Sequence, residues 1–205
     1  MVDEIRIYVE GGNEYKDSLT KIREGFTNFF HNSNETYIDK IHVIACGSRF
    51  RAYKDFIIAW ESNSDCINIL LVDSETEVSS IPCAHLKTED PDFWKFENCH
   101  ERHIHLMVQV MESWFLADKE ALKTFYGNGF REEKLPCDTQ VDTISKGTIE
   151  VKLKAATRNS ARGRYHKINH APYILELLDI AKVRAAAHHC DRLFTTLSEL
   201  MGDDS

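Results

Sequence analysis

Apolar and polar side chains alternate over Ile5-Arg6-Ile7-Tyr8-Val9, the period-two pattern of a strand. Gly11-Gly12 interrupts it. Tyr15, Leu19, Ile22, Phe26, Phe29 and Phe30 then recur at helical spacing, which predicts an amphipathic helix over residues 13–31. The unit repeats: residues 41–46 read as a strand, Gly47-Ser48 as a turn, and Tyr53, Phe56, Ile57 and Trp60 as the inner face of a second helix. A third strand is predicted at 67–72, so continuously apolar that it belongs in the middle of a sheet, buried on both faces. A fourth is predicted at 104–110, leading into 111–118.

Strands alternating with helices imply an α/β fold with a mainly parallel four-stranded sheet, right-handed crossovers and flanking helices. The stretch 76–102, with Pro82, Pro91 and several acids, reads as an excursion over the surface. Beyond Asp118 the pattern is helical only, at 119–126 (ended by Gly127), 146–158, 173–178, 181–187 and 191–200. The expected organisation is an α/β core over residues 1–118 and a C-terminal helical extension, 119–205, packed on it, with the last residues frayed.

Composition narrows this picture. At 205 residues, 42% hydrophobic and 28% charged, the chain suits one compact body. No run approaches the roughly 20 apolar residues of a membrane helix, and the first residues lack a basic-then-apolar leader, so no membrane association and a cytoplasmic location are expected. Six cysteines without a CxxC pair argue for reduced thiols. A formal charge of -8 excludes whole-surface attraction to nucleic acid, so any such contact must be local.

One segment reverses that sign. Lys146, Lys152, Lys154, Arg158, Arg162, Arg164 and Lys167 lie between residues 146 and 170 against the lone acid Glu150. Such a run suits phosphates, with Tyr165 available to stack on a base, and equally suits a solvated face or a contact with the protein's own acidic edge.

Candidate chemistry gathers where the strands run out. Glu10, Gly47-Ser48-Arg49, Asp73-Ser74-Glu75, and Gln109 with Glu112 and Trp114 follow the four predicted strands. Ligands of open α/β sheets bind beyond the carboxyl ends of the strands. Carboxylates converging there repel one another unless a cation sits among them, and oxygen donors point to Mg²⁺ or Mn²⁺. Glu10, Asp73, Glu75 and Glu112 are the candidate metal ligands, with Asp118 a further candidate; Trp114 and Phe115 read as core.

Gly11 and Gly12 permit close backbone approach to a phosphate, and Arg49 could contact it, but no GxGxxG or GxxxxGK[ST] supports a dinucleotide or P-loop reading. His103 and His105, with Cys99 and His100, lack the second well-spaced ligand pair of a zinc site, and His188-His189-Cys190 reads as a helix end.

Glu10 after the first strand and Asp73-x-Glu75 after a later one resemble the signature of the Toprim fold of topoisomerases, primases and overcoming-lysogenization-defect nucleases. The resemblance implies that Glu10 acts as general acid or base and that the Asp-x-Asp position holds metal, although the second acid here is glutamate. Nearly the whole chain is also similar to a bacterial domain-of-unknown-function family, the one numbered four-two-seven-six. The similarity rests on Ile7-Tyr8-Val9-Glu10-Gly11-Gly12, Leu71-Val72-Asp73-Ser74-Glu75, His105-Leu106-Met107-Val108-Gln109, Met111-Glu112-Ser113-Trp114-Phe115-Leu116-Ala117-Asp118, Lys154-Ala155-Ala156-Thr157 and Gly163-Arg164-Tyr165-His166-Lys167. It implies a Toprim-like core and an origin beside ATPases in phage-defence gene clusters.

The leading expectation is a Mg²⁺- or Mn²⁺-dependent nuclease acting on DNA or RNA. Its catalytic set is Glu10, Asp73, Glu75 and Lys167, and Gly11, Gly12, Arg49, Lys154, Arg164 and Tyr165 contact phosphate or nucleic acid. Arg164 and Lys167, if folded over the crevice, would neutralise a transferring or leaving phosphate. The alternative is a non-catalytic or conditionally active subunit that docks on an ATPase partner and senses nucleic acid or nucleotide. The chain does not distinguish a monomer from a homo-oligomer.

Overall fold

The structure, a computed structural model, describes residues 4–13, 15–33, 35–62, 65–96 and 101–202. The strands are β1 (Ile5–Val9), β2 (Ile41–Ala45), β3 (Ile67–Asp73) and β4 (Ile104–Met107). All neighbours pair in parallel, in the order β2-β1-β3-β4. This is the four-stranded sheet flanked by helices that the alternation predicts, and β3, buried along its whole length, is interior as expected.

The order explains where a site can form. From β1 the chain crosses to β2 through α1 (Lys16–His31), then returns through α2 (Arg49–Glu61) to β3 on the other side of β1. Right-handed crossovers in opposite directions put the two helices on opposite faces. Phe26, Phe29 and Phe30 of α1 join Ile5, Ile7 and Leu71 in one core, whereas Ala52 and Phe56 of α2 join Tyr8, Leu70 and Val72 in the other. The helices therefore part above β1 and β3, and the crevice opens between Glu10 and Asp73.

The segment expected as a surface excursion contains a helix, α3 (Pro82–Glu89). Pro82 is its first residue, where a missing N–H costs nothing, so it starts this helix rather than breaking it. Leu86, Trp94 and Phe96 are buried against α2, and the Tyr53 ring meets Trp94 edge-on at 5.0 Å. Burial of each such ring contributes about 1.5–3 kcal/mol.

Beyond β4 come α4 (Glu112–Ala117), α5 (Lys119–Tyr126), α6 (Lys146–Thr157), α7 (Lys167–Leu175), α8 (Ile180–Ala186) and α9 (His188–Met201). Their apolar faces share the α1-side core: Leu122, Leu153, Ile174, Val183 and Phe194 are fully buried in it. Helix α7 begins earlier than the predicted 173–178 because Pro172 lies inside it and does not end it. There α1 and α7 pack at backbone distance: a Cβ placed on Gly25 would come within 2.6 Å of the Pro172 carbonyl oxygen. The His188-His189-Cys190 run is the start of α9.

A candidate acidic metal centre at the switch point

Glu10 leaves β1 at its carboxyl end with its N–H bonded to the Leu71 carbonyl at 3.1 Å, which fixes it beside β3. Its Oε2 accepts the Asp73 N–H at 3.2 Å. Asp73, the last residue of β3, is 2% exposed, and its Oδ1 accepts the Met111 N–H at 2.7 Å. Glu75 is the one non-glycine with positive φ among the described residues, at 66°. That conformation is costly for a side-chain-bearing residue and recurs at functional sites. Its N–H donates to the Gln109 carbonyl at 2.8 Å, which holds the turn.

These three carboxylates come together: one oxygen from each of Glu10, Asp73 and Glu75 lies within 4.8 Å of the others. Opposite ligands on a six-coordinate Mg²⁺ are about 4.2 Å apart, since each bond is about 2.0–2.1 Å. The donor set is hard oxygen throughout, and little contraction would let it hold such an ion. The residues could thus hold a hard divalent cation.

The chain's own cations lie against the same oxygens. Arg49, at the start of α2, spans two acids, with Nε 3.2 Å from Glu10 Oε2 and Nη2 2.8 Å from Glu75 Oε1. Lys146 pairs with Glu75 Oε2. Lys167, the first residue of α7, sits 3.5 Å from Asp73 Oδ2 and 3.4 Å from Glu112 Oε2.

Burial pushes the Asp73 carboxyl up, with Glu10 and Glu112 adding to the rise while Lys167 and the Met111 N–H oppose it. Burial works to lower the Lys167 pKa, but Asp73, Glu112 and Glu10 outweigh it and raise the value, so this ammonium stays charged.

The expected residues divide. Glu112 is buried beside the triad and lies outside it; its Oε1 accepts the Tyr165 hydroxyl at 2.8 Å. Tyr165, expected as a stacking surface for a base, is instead 7% exposed, because its ring packs on Phe115 and its hydroxyl is spent on Glu112. Asp118 is remote from the metal set: it caps α5 through Ala121 N–H and holds Lys182 at 2.7 Å.

Gly11 and Gly12 form the turn behind Glu10, where the Gly11 N–H donates to the Gly47 carbonyl at 2.9 Å. Gly12, at φ 84°, presses against Ser18 and Ile22, where a Cβ would be crowded. Arg164 and Lys154 line an open groove of about 600 Å³ with Arg158, and Lys154 also pairs with Glu150.

His105 binds no metal through its ring nitrogens, which meet the Arg102 carbonyl at 3.0 Å and Arg192 Nη1 at 3.1 Å. Cys99 and His100 lie outside the described residues. Gln109 proves to be a positioning residue: its Oε1 accepts the Lys146 N–H at 2.9 Å, tying α6 to the strand ends. Lys146 was not singled out as a site residue, but its pairing with Glu75 is the contact with the protein's own acidic edge that the basic run offered as one reading.

No helix among the described residues is long and apolar enough to cross a membrane.

The fold and the site together define a class: an α/β protein with a parallel sheet and a candidate acidic metal centre at its switch point. Within that class the chain belongs to the family described as Domain of unknown function (DUF4276), whose sequence model matches residues 9–198. No curated protein and no solved structure gives a significant match.

Proposed function

We propose that the protein is a Mg²⁺- or Mn²⁺-dependent phosphoryl-transfer enzyme that hydrolyses phosphodiester bonds of nucleic acid. The observation that carries this reading is the convergence of Glu10, Asp73 and Glu75 at the switch point, with Lys167 over them. The Toprim resemblance, in which the equivalents of Glu10 and Asp73 act on phosphodiesters, supports the same assignment.

Glu10, Asp73 and Glu75 would hold the ion, which when bound polarises the phosphate and lowers the pKa of water. Glu10 accepts the proton of the attacking water. Lys167, kept charged by its neighbours, donates hydrogen bonds to the phosphate and stabilises the leaving oxygen as the P–O bond breaks. Arg49 and Lys146, which pair with these carboxylates, would with an ion bound there be available to phosphate oxygens. The groove beside Lys154, Arg158 and Arg164 guides the strand.

The test is cleavage of single- and double-stranded DNA and RNA with Mg²⁺ or Mn²⁺. Activity is expected in the wild type and is lost in Glu10→Gln and Asp73→Asn. Equal cleavage by all three proteins would assign it to a contaminant.

A second reading is a conditionally active subunit docked on an ATPase in a phage-defence system. It is favoured by the full pairing of the triad with Arg49, Lys146 and Lys167, which leaves the acids neutralised in the absence of a trigger. Cleavage only after addition of an ATPase partner would select it.

A further inference from the structure

A cavity of about 370 Å³ lies between α6 and the start of α7. Val110, Ile149 and Tyr165 give it apolar walls, Lys146 and Lys167 stand on its lining, and Glu112 is in it too. Those two lysines are the ones that pair with Glu75 and Asp73, so the cavity adjoins the acidic triad.

Glu112 supplies a second, independent observation. It is 7% exposed, its Oε1 is taken by Tyr165, and its buried Oε2 accepts no hydrogen bond, its one charged neighbour being the Lys167 ammonium at 3.4 Å. A buried carboxylate oxygen with acceptor capacity to spare is a place where a ligand N–H or O–H is gained at little loss. The volume is at the small end of the range for small-molecule sites, about 300–1,000 Å³. It suits one ring system with its sugar and not a run of nucleotides.

We propose that this cavity seats a single nucleoside, its flat heterocycle against Ile149 and Val110. A donor group of the base or sugar meets Glu112 Oε2, and the attached phosphate is directed at Lys146 and Lys167 beside the triad. The assignment deepens the phosphodiesterase reading and rests on it: the reaction then acts on a nucleotide held by its base, as at a strand end or an everted position. An acyl chain would offer no donor to Glu112, and a bare anion would leave the apolar walls unused.

The experiment titrates the full chain with the monophosphates of adenosine, guanosine, cytidine and uridine and, separately, with inorganic phosphate, following heat of binding and melting temperature. At least one nucleotide is expected to bind tenfold or more tighter than phosphate. Ile149→Trp, which fills the cavity, is expected to abolish that preference while the Mn²⁺-dependent rise in melting temperature survives. Azido-nucleoside monophosphates provide a readout independent of the variant's folding, and crosslinks are expected within residues 146–154 or 165–167.

Equal binding of nucleotides and phosphate, or crosslinks elsewhere, would overturn the proposal. No nucleotide binding with the Mn²⁺ response intact would overturn it too and leave the metal reading standing. Loss of the Mn²⁺ response from the wild type would instead strike the metal reading.

Discussion

The Lys167 ammonium lies 3.5 Å from Asp73 Oδ2 and joins the first turn of α7 to the carboxyl end of β3 across 94 residues of sequence. Asp73 is buried and Lys167 is 42% exposed on its side chain, so the pair is half in solvent. Lys167→Met removes the cation nearest Asp73 and Glu112 and leaves two buried carboxylates facing each other. Breaking a fully buried pair costs about 3–5 kcal/mol; solvent screening of Lys167 reduces this to about 1–2 kcal/mol. Urea unfolding at neutral pH should show that loss, and Asp73→Asn in the same background should recover part of it. Strict additivity of the two changes would mean that the residues do not interact.

Arg49 competes with any ion for Glu10 and Glu75. Arg49→Gln is therefore expected to raise Mn²⁺ affinity by about threefold or more, since partly exposed pairs of this kind are worth about 0.2–1 kcal/mol each. Asp73→Asn should lower it. Mn²⁺ titration followed by electron paramagnetic resonance measures both. A fall in affinity on losing Arg49 would show that its guanidinium helps to hold the ion's ligands in place.

Two glycines predict opposite outcomes for the same substitution. In Gly25→Ala the new methyl meets the Pro172 carbonyl oxygen and Cα, which are backbone and cannot swing aside. Overpacking costs about 1–3 kcal/mol, against a helix-propensity gain of at most about 1 kcal/mol. A lower melting temperature is expected, together with a loss of the activity proposed above, because α7 carries Lys167. Gly147 in α6 has nothing within 4 Å of its added Cβ, so Gly147→Ala should leave stability unchanged or raise it by up to about 1 kcal/mol.

These relationships show what the sequence can and cannot disclose. Strand positions were legible because Ile5, Ile7 and Val9 face one core and Tyr8 the other, so the pattern records burial directly. Glu10, Asp73 and Glu75 were legible because a parallel sheet aligns its carboxyl ends, which turns a one-dimensional list of strand ends into one edge. Tyr165 was misread because a ring within a basic run carries no sign of which way it turns; the partner that turns it inward, Glu112, is 53 residues away. For Lys146 the run's reading as a contact with the acidic edge was available, but not which acid, since Glu75 lies 71 residues distant. Pro82 reads as part of a surface excursion, yet it occupies the first turn of α3, and Pro172, just before the predicted 173–178 helix, lies inside α7 and is held against Gly25.

His105 in β4 is fully buried, accepting from Arg192 Nη1 at 3.1 Å and, through its Nε2–H, donating to the Arg102 carbonyl at 3.0 Å. Burial, aided by the Arg192 charge, pushes its pKa down to about 3. In the unfolded chain the ring titrates near 6.5. Between those values the unfolded state binds a proton that the native state refuses, so stability falls as pH drops from about 6.5 towards about 3. His189, lowered to about 4 chiefly by burial, acts in the same direction, whereas Asp142, raised to about 6 by burial, opposes it between about 6 and 3.8.

His105→Gln isolates one proton from this sum, since glutamine retains a donor for Arg102 and cannot titrate. Unfolding free energies of both proteins at pH 7 and pH 5 should differ in their pH dependence by about 2 kcal/mol, the wild type losing more on acidification. Parallel losses in the two proteins would mean that His105 takes up its proton without leaving the fold.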